Sequence, residues 1–260
     1  MLTGTLLLLS ILFVIVLIHE AGHLIVAKKC GVGVRTFSIG FGPRIIGLKF
    51  YNGKVAYKFL EGKPSNRYVW KKGETEYRLA PLPFGGFCSM EGGMDGEGKR
   101  CLVNKPYLQK VAVAMGGVVA NIVTGFVALA SVICLKVGSL KGIALTIDAI
   151  KQILSQAYHQ TILLVTGQMP LAHWNEIAEA SSLLATPEGI VLQFGFYSII
   201  LAVFNLLPFP ALDGSLPFLW GLEYIFGKKT GRLMSNLLAI LGFTLLMGLQ
   251  LLIVIYWIFF

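Results

Sequence analysis

The sequence predicts a membrane all-α helical bundle of about four transmembrane helices, with a small membrane-associated β hairpin or sheet on the cytoplasmic side. Two features of the composition favour this fold class. The chain of 260 residues is 55% hydrophobic and only 13% charged, whereas soluble domains carry about 25% charged residues. The apolar residues also form long runs, and too little polar sequence remains to enclose those runs as buried helices of a soluble protein.

Four nearly uncharged runs are each long enough to cross a hydrocarbon core of about 30 Å as a helix. Their bounds are about 2–27, 111–135, 189–212 and 233–259. Together with a cytoplasmic β region at 34–90 and an extracytoplasmic segment at 138–188, they are assigned to a single domain, 1–260. Apolar residues at helical spacing from Ile143 to Ala157 predict an amphipathic helix on the outer membrane surface.

The distribution of lysine and arginine predicts the orientation of the bundle. Of the 22 basic residues, 16 lie between Lys28 and Lys110, and three more lie between the third and fourth runs. Basic loops stay on the cytoplasmic side, so both regions are predicted to be inside. The net charge of +9 is attributed to this topology and to contact with membrane lipid. Nucleic acid is not expected as a partner, because no basic stripe interleaved with aromatic residues occurs.

The segment after the first run has the patterns of β structure. Apolar and basic residues alternate over 48–59 around Asn52-Gly53, a dipeptide that favours the positive φ angles of a tight turn, so a hairpin is expected. A further strand is predicted at 77–83, followed by a break at Gly85-Gly86. The four cysteines have no CxxC spacing, and free thiols are expected.

The first apolar run contains His19-Glu20-Ala21-Gly22-His23, the pattern HExxH. Residues four apart lie on one face of a helix, so both imidazoles can reach one Zn²⁺ ion. Glu20 is placed to take a proton, as general base, from a water in the open coordination position. Ionisable groups inside a membrane helix are costly without a partner, so metal binding is favoured over a chance match.

A third protein ligand is needed, because two histidines leave a catalytic zinc site one ligand short. The other two histidines, His159 and His173, belong to the segment predicted to be outside. Asp213 lies at the predicted cytoplasmic end of the third run, at the depth of the HExxH residues, and is favoured as the ligand. The alternative is an ordinary aspartate at a helix end.

The chain resembles the site-2 protease family of intramembrane zinc metalloproteases, in the form of its bacterial sigma-E-regulating members but without a PDZ domain. Four segments carry the resemblance. They are HExxH at 19–23, the sequences at 37–42 and 82–87, and NxxPxxxLDG at 205–214. The resemblance implies Zn²⁺ as cofactor and His19, His23 and Asp213 as its ligands, with Glu20 as catalytic base. It also implies that Asn205 contacts substrate or scaffolds the site.

The resemblance further implies substrate contact by Asn121, in the second core helix, and pairing of the hairpin with an extended segment of substrate. We expect the pairing edge of the hairpin to be residues 54–59, because an exposed strand edge offers unpaired backbone groups. The segment 138–188 is too short to contain a PDZ domain.

The implied function is that of a zinc metalloendopeptidase in a bacterial inner membrane. It would hydrolyse peptide bonds in or near transmembrane segments of membrane-protein substrates, as in regulated intramembrane proteolysis. The rival interpretation is a non-catalytic membrane protein, either a metal-binding scaffold or a transporter with a zinc site. A scaffold has no use for Glu20, so the enzyme is favoured. The oligomeric state is not predicted.

Overall fold

The computed structural model describes residues 2–72, 74–91, 98–165, 186–210 and 212–259. The helices are α1 Leu2–Lys29, α2 Arg67–Lys72, α3 Tyr107–Val137, α4 Ser139–Val165, α5 Pro187–Leu206, α6 Ser215–Phe226 and α7 Lys228–Phe259, with a 3₁₀ turn at Leu102–Asn104. The strands are β1 Val34–Phe41, β2 Ile46–Tyr51, β3 Lys54–Phe59, β4 Glu76–Leu79 and β5 Leu82–Met90.

Within the described residues, three helices are long and apolar enough to cross a membrane. They are α1 from Leu6 to Lys29, α3 and α5, and they match the first three predicted crossings. Helix α7 contains a shorter apolar stretch, Leu233–Leu245, and the side chains of its last turns lie outside the described residues. A fourth crossing therefore stays a prediction.

Helix α3 is central to the bundle, and glycines bring its backbone close to both neighbours. A Cβ added to Gly22 of α1 would overlap the Gly116 carbonyl oxygen of α3. Farther along α3, a Cβ on Gly125 would lie 3.0 Å from the Gly195 carbonyl oxygen of α5. Small residues at helix crossings permit close backbone packing in membranes. Helix α3 therefore lies at short range from α1 at Gly116 and from α5 at Gly125.

The predicted amphipathic helix is present and is longer than expected, since α4 extends over 27 residues. The chain reverses at Gly138, where φ is 89°. Helix α4 then packs against α3 and α5, and its Ile153 joins Leu129 and Ile199 in a buried cluster. Its placement on the outer membrane surface stays a prediction, and residues 166–185 lie outside the described residues.

The β region forms one five-stranded mixed sheet in the order β3-β2-β4-β1-β5. Strands β1 and β4 are parallel, whereas the other neighbouring strands are antiparallel. The predicted hairpin is confirmed as β2–β3, and its turn residues Asn52 and Gly53 have φ angles of 47° and 72°. Both angles are positive, as a two-residue hairpin turn requires.

The strand predicted at 77–83 is wrong, because the chain there forms the end of β4 and the start of β5. Pro81, which cannot donate a ladder hydrogen bond, lies between the two strands. Strand β5 continues through the predicted break. Gly85 takes a φ of 116° near a register shift, and a Cβ on Gly86 would lie 2.5 Å from the Ser38 carbonyl oxygen. These glycines allow close approach inside the sheet and do not end the strand.

A buried apolar cluster joins the sheet to the helices. It contains Leu24 and Ala27 of α1, Val34 and Phe37 of β1, and Val113 of α3. Strand β5 packs along α1 beside this cluster. The sheet is therefore held against the part of α1 that carries the HExxH motif.

The sheet has two edge strands, β3 and β5, at its opposite ends. Strand β5 contacts α1, and β3 is separated from β5 by the other three strands. The hairpin edge at 54–59 is therefore not brought to the HExxH helix, and its pairing with substrate stays a prediction. Its Val55, Tyr57 and Phe59 side chains are each more than half exposed.

Candidate metal centre

The three predicted metal ligands meet at one point. His19 Nε2 lies 2.8 Å from Asp213 Oδ2, His23 Nε2 lies 3.1 Å from the same oxygen, and the two nitrogens are 3.1 Å apart. Bond lengths of about 2.0–2.1 Å place the donors of a tetrahedral zinc site about 3.3 Å apart. Within the described residues, this is the single group of three or more His, Cys, Asp or Glu side chains close enough to share an ion.

Helix α1 supplies both imidazoles from one face, because the two residues are one turn apart. The rings lie edge to face, with their centroids 4.7 Å apart and their planes at 81°. His19 and His23 are 6% and 7% exposed, so the α3 side of the bundle shields them from solvent. A helix with this spacing presents two nitrogens to one ion without distortion of its backbone.

Asp213 reaches the site because the chain folds back after α5. Helix α5 ends at Leu206, and Pro208 cannot provide the N–H that a continued helix would need. The Gly214 N–H then donates a 2.7 Å hydrogen bond to the Asn205 carbonyl oxygen. A Cβ on Gly214 would overlap the Leu206 carbonyl oxygen, so this tight return favours glycine.

The Asp213 carboxylate is held ionised by its neighbours. Burial alone would raise the pKa of Asp213, but contact with the His19 and His23 rings lowers it to about 2. At neutral pH the group is therefore a negatively charged oxygen ligand beside two imidazole nitrogens. This donor set of two nitrogens and one carboxylate is the kind found in catalytic zinc sites.

The backbone of α3 forms the inner wall of the centre. A Cβ on Gly117 would lie 2.6 Å from the Cε1 and Nε2 atoms of His19 and 2.6 Å from His23 Nε2. The missing side chain leaves the donor nitrogens accessible to an ion. Sequence reasoning did not assign Gly117 to the site. The available signal was a glycine pair inside an apolar helix, where glycine costs about 1 kcal/mol relative to alanine unless packing requires it.

The second ring nitrogen of each histidine also faces α3. His23 Nδ1 lies 2.8 Å from the Val113 carbonyl oxygen. Because a carbonyl oxygen can only accept, Nδ1 carries the hydrogen and Nε2 keeps its lone pair for a metal. His19 Nδ1 lies 3.3 Å from the side-chain nitrogen Nδ2 of Asn121.

Glu20 is not among the three donors and lies beside them at a pocket. The pocket has a volume of about 250 Å³. It is lined by Glu20, His23, Phe87, Cys88, Met90, Leu102, Val113, Ala114, Asp213, Leu216 and Trp220. Cys88, in edge strand β5, lines the same pocket as Glu20. Edge strand β5 therefore lies beside the predicted base.

Neither of the two asparagines predicted to bind substrate lines this pocket. Asn121 is 0% exposed, and its side chain faces His19. The Asn205 amide donates a 3.0 Å hydrogen bond to the Leu201 carbonyl oxygen, and its own carbonyl holds Gly214. Asn205 thus lies where a scaffolding residue of the Asp213 loop would lie.

The sequence profile of peptidase family M50 matches residues 7–60 and 65–249. A Clostridium perfringens protein, provisionally named a zinc metalloprotease, is 27% identical over 339 residues, which cover 93% of this chain and 94% of that protein. The alignment is longer than the chain, so that relative carries additional residues.

Two further relatives with the same provisional name align over shorter segments. One from Mesorhizobium japonicum is 36% identical over 87 residues, which are 34% of this chain and 18% of the relative. One from Clostridium acetobutylicum is 31% identical over 133 residues, which are 51% of this chain and 31% of the relative. Because the family profile covers most of the described helices and strands, the chain belongs to peptidase family M50, the site-2 protease family.

Proposed function

We propose that the protein is a zinc metalloendopeptidase of a bacterial inner membrane that hydrolyses peptide bonds in or beside transmembrane segments of other membrane proteins. One observation carries the proposal: three side chains able to hold a metal ion meet at one point, and two of them, His23 and Asp213, line a pocket together with Glu20 and edge strand β5. Family membership, the provisional names of the relatives as zinc metalloproteases and three apolar helices support it.

The donor set suits Zn²⁺, with His19, His23 and Asp213 as its ligands. The spacing of their donor atoms is close to that of a tetrahedral site, and Gly117 leaves the inner face open. A zinc ion bound there would supply a Lewis acid that polarises the scissile carbonyl and lowers the pKa of water to about 7.

Glu20 is proposed as the general base. Its carboxylate would take the proton from the attacking water and deliver it to the nitrogen of the leaving amine. Cys88 of edge strand β5 lines the pocket beside this carboxylate. A metal scaffold needs the three ligands but has no role for a glutamate in this pocket.

Strand β5 is proposed to hold substrate in place of the hairpin edge predicted from sequence. A transmembrane helix must unwind before cleavage, and its freed N–H and C=O groups need partners in a low-dielectric environment. The free edge of β5 can supply them by strand addition. The pocket beside this edge is lined by Phe87, Met90, Leu102 and Trp220, which suit apolar side chains of a membrane segment.

The Glu20→Gln variant tests this proposal. Single-span membrane proteins with an epitope tag at each end would be coexpressed with the protein, and their fragments would be measured together with the zinc content of the purified protease. We expect Glu20→Gln to retain zinc and to lower cleavage by about 100-fold or more, since general bases contribute about 10²- to 10⁴-fold. Glu61→Gln is the matched control, because the Glu61 side chain is 79% exposed in the sheet region, away from the pocket.

Two results would contradict the proposal. Loss of zinc in Glu20→Gln would mean that Glu20 is a ligand and not the base. Cleavage by Glu20→Gln at a rate near that of the unmodified chain would remove its catalytic role.

A further inference from the structure

We propose that Asn121 is the positioning residue of His19, with its side-chain Oδ1 accepting a hydrogen bond from His19 Nδ1 so that Nε2 is presented to the metal. This inference rests on the proposed function, because it takes His19 as a metal ligand through Nε2. It gives Asn121 a role in metal binding, in place of the substrate contact predicted from sequence.

The position of Asn121 is the first observation. It lies four residues after Gly117 on α3, on the same face of the helix, and is 0% exposed. Its side-chain nitrogen Nδ2 lies 3.3 Å from His19 Nδ1. A buried amide in an apolar membrane helix is costly unless its polar atoms are paired. The Asn121 Oδ1 atom has no hydrogen-bond partner within the described part of the chain.

The chemistry of imidazole decides which amide atom should face the ring. A neutral imidazole carries one hydrogen on its two nitrogens. If His19 Nε2 uses its lone pair for metal, Nδ1 must carry that hydrogen and needs an acceptor. The amide NH₂ group is a donor only, whereas Oδ1 is an acceptor. A half-turn of the planar amide exchanges the two atoms and places Oδ1 near Nδ1 without moving the backbone.

His23 provides the precedent within the same site. Its Nδ1 lies 2.8 Å from the Val113 carbonyl oxygen, which can only accept. Val113, Gly117 and Asn121 follow one another at intervals of four residues along one face of α3. One face of α3 therefore supplies an acceptor for each ligand ring and an open space between them.

Contacts with α5 fix the backbone at Asn121. The Ser198 hydroxyl donates a 2.9 Å hydrogen bond to the Asn121 carbonyl oxygen, and Ser198 is 0% exposed. The Thr124 hydroxyl lies 3.4 Å from the Ser198 hydroxyl. These contacts hold Asn121 through its backbone, so the side chain remains available to His19.

The test is the Zn²⁺ affinity of the purified, detergent-solubilised full chain, measured by competition with a chromophoric chelator. Asn121→Leu keeps a similar volume but removes the acceptor, and we expect affinity to fall by about 10- to 100-fold, as for other outer partners of ligand histidines. Asn121→Asp keeps an acceptor oxygen, and we expect it to bind Zn²⁺ at least ten times more tightly than Asn121→Leu. Thr146→Val is the matched control, because it removes a buried hydrogen bond to the Gly142 carbonyl oxygen within α4 and touches neither Asn121 nor His19.

Thermal unfolding of each metal-free variant, and its absorption spectrum with Co²⁺, separate positioning from folding. We expect metal-free Asn121→Leu and Thr146→Val to unfold at similar temperatures, with only Asn121→Leu changed in its Co²⁺ spectrum. Unchanged affinity in Asn121→Leu overturns the proposal, and so does an equal loss in Thr146→Val or a failure of Asn121→Asp to exceed Asn121→Leu. If His19→Ala leaves the zinc affinity of the chain unchanged, the proposed function itself fails.

Discussion

The α1–α3 crossing and the β2–β3 hairpin differ in how far their side chains are buried. At the crossing, glycines bring two backbones together, and His19 and His23 are almost fully buried with partners on both ring nitrogens. On the hairpin, Tyr57 and Phe59 are 58% and 59% exposed. Exposed apolar surface of this kind suits contact with lipid. Zinc binding and cleavage should therefore be sensitive to changes of single atoms at the crossing and should tolerate larger changes on the hairpin.

The largest expected effect is at Gly117. In Gly117→Ala the new Cβ would lie 2.6 Å from ligand atoms of both histidines, so one ring must move or α3 must retreat. We expect zinc affinity to fall at least about 100-fold, which corresponds to about 2.7 kcal/mol. Chelator competition on the purified variant measures the change.

Gly221→Ala is the control for this substitution. Gly221 lies in α6, and a Cβ there would meet no atom within 4 Å. Zinc affinity should be unchanged in this variant. Equal losses at both glycines would mean that helix geometry, and not contact with the ligands, sets the affinity.

An effect of intermediate size on cleavage is expected when proline is placed in one edge strand of the sheet but not in the other. Cys88→Pro removes a backbone N–H from β5 where this strand lines the pocket beside Glu20, without removing a ligand. We expect cleavage to fall by about 10-fold or more, near the lower limit for general-base catalysis, while zinc content is retained. Cleavage of the tagged membrane proteins, with zinc analysis, provides the measurement.

Val55→Pro is the matched change on the other edge. Backbone N–H groups point alternately to the two sides of a strand. The Tyr57 N–H points outward to Ser65, so the Val55 N–H, two residues earlier, also points outward. Its loss should leave both the ladder and cleavage intact. A fall in cleavage with Val55→Pro, and none with Cys88→Pro, would return the substrate edge to the hairpin.

The smallest effect is expected on the exposed hairpin face. Tyr57→Ser truncates a side chain that is 58% exposed. Surface substitutions of this kind usually change the free energy of unfolding by less than about 0.5 kcal/mol. Thermal unfolding in detergent should show little change, and a large loss of stability would mean that this face packs against protein.

Much of the centre could be predicted because its signals are local. The spacing of His19 and His23 places two rings on one helix face whatever the fold around them. The prediction of Asp213 as a ligand required the topology given by the basic loops, which aligned the end of the third run with the first run. The apolar runs likewise located α1, α3 and α5, because hydropathy and length alone determine such spans.

The rest depended on partners distant in sequence. Gly85-Gly86 indicates a break when considered alone, but in the sheet Gly86 accommodates the Ser38 carbonyl. The order of the strands, and hence the choice of β5 over β3, follows from a parallel pairing between β1 and β4 that no local pattern specifies. In the sequence, Asn121 is only a polar residue in an apolar run, and no local pattern shows that it faces the His19 ring.

The central claim is that His19, His23 and Asp213 form one zinc site. Cys88 is the cysteine that lines the same pocket, and burial together with the Glu20 carboxylate raises the pKa of its thiol to about 12. A thiol that stays protonated is a poor zinc ligand. Zinc-edge X-ray absorption of the purified chain therefore distinguishes the possible ligand sets by bond length.

We predict one zinc ion per chain, with nitrogen and oxygen ligands at about 2.0–2.1 Å that include two imidazoles. His19→Ala and Asp213→Ala should each remove most of the bound zinc, whereas Cys88→Ser should leave the spectrum unchanged. A sulfur ligand at about 2.3 Å, or full zinc occupancy in both His19→Ala and Asp213→Ala, would contradict the account.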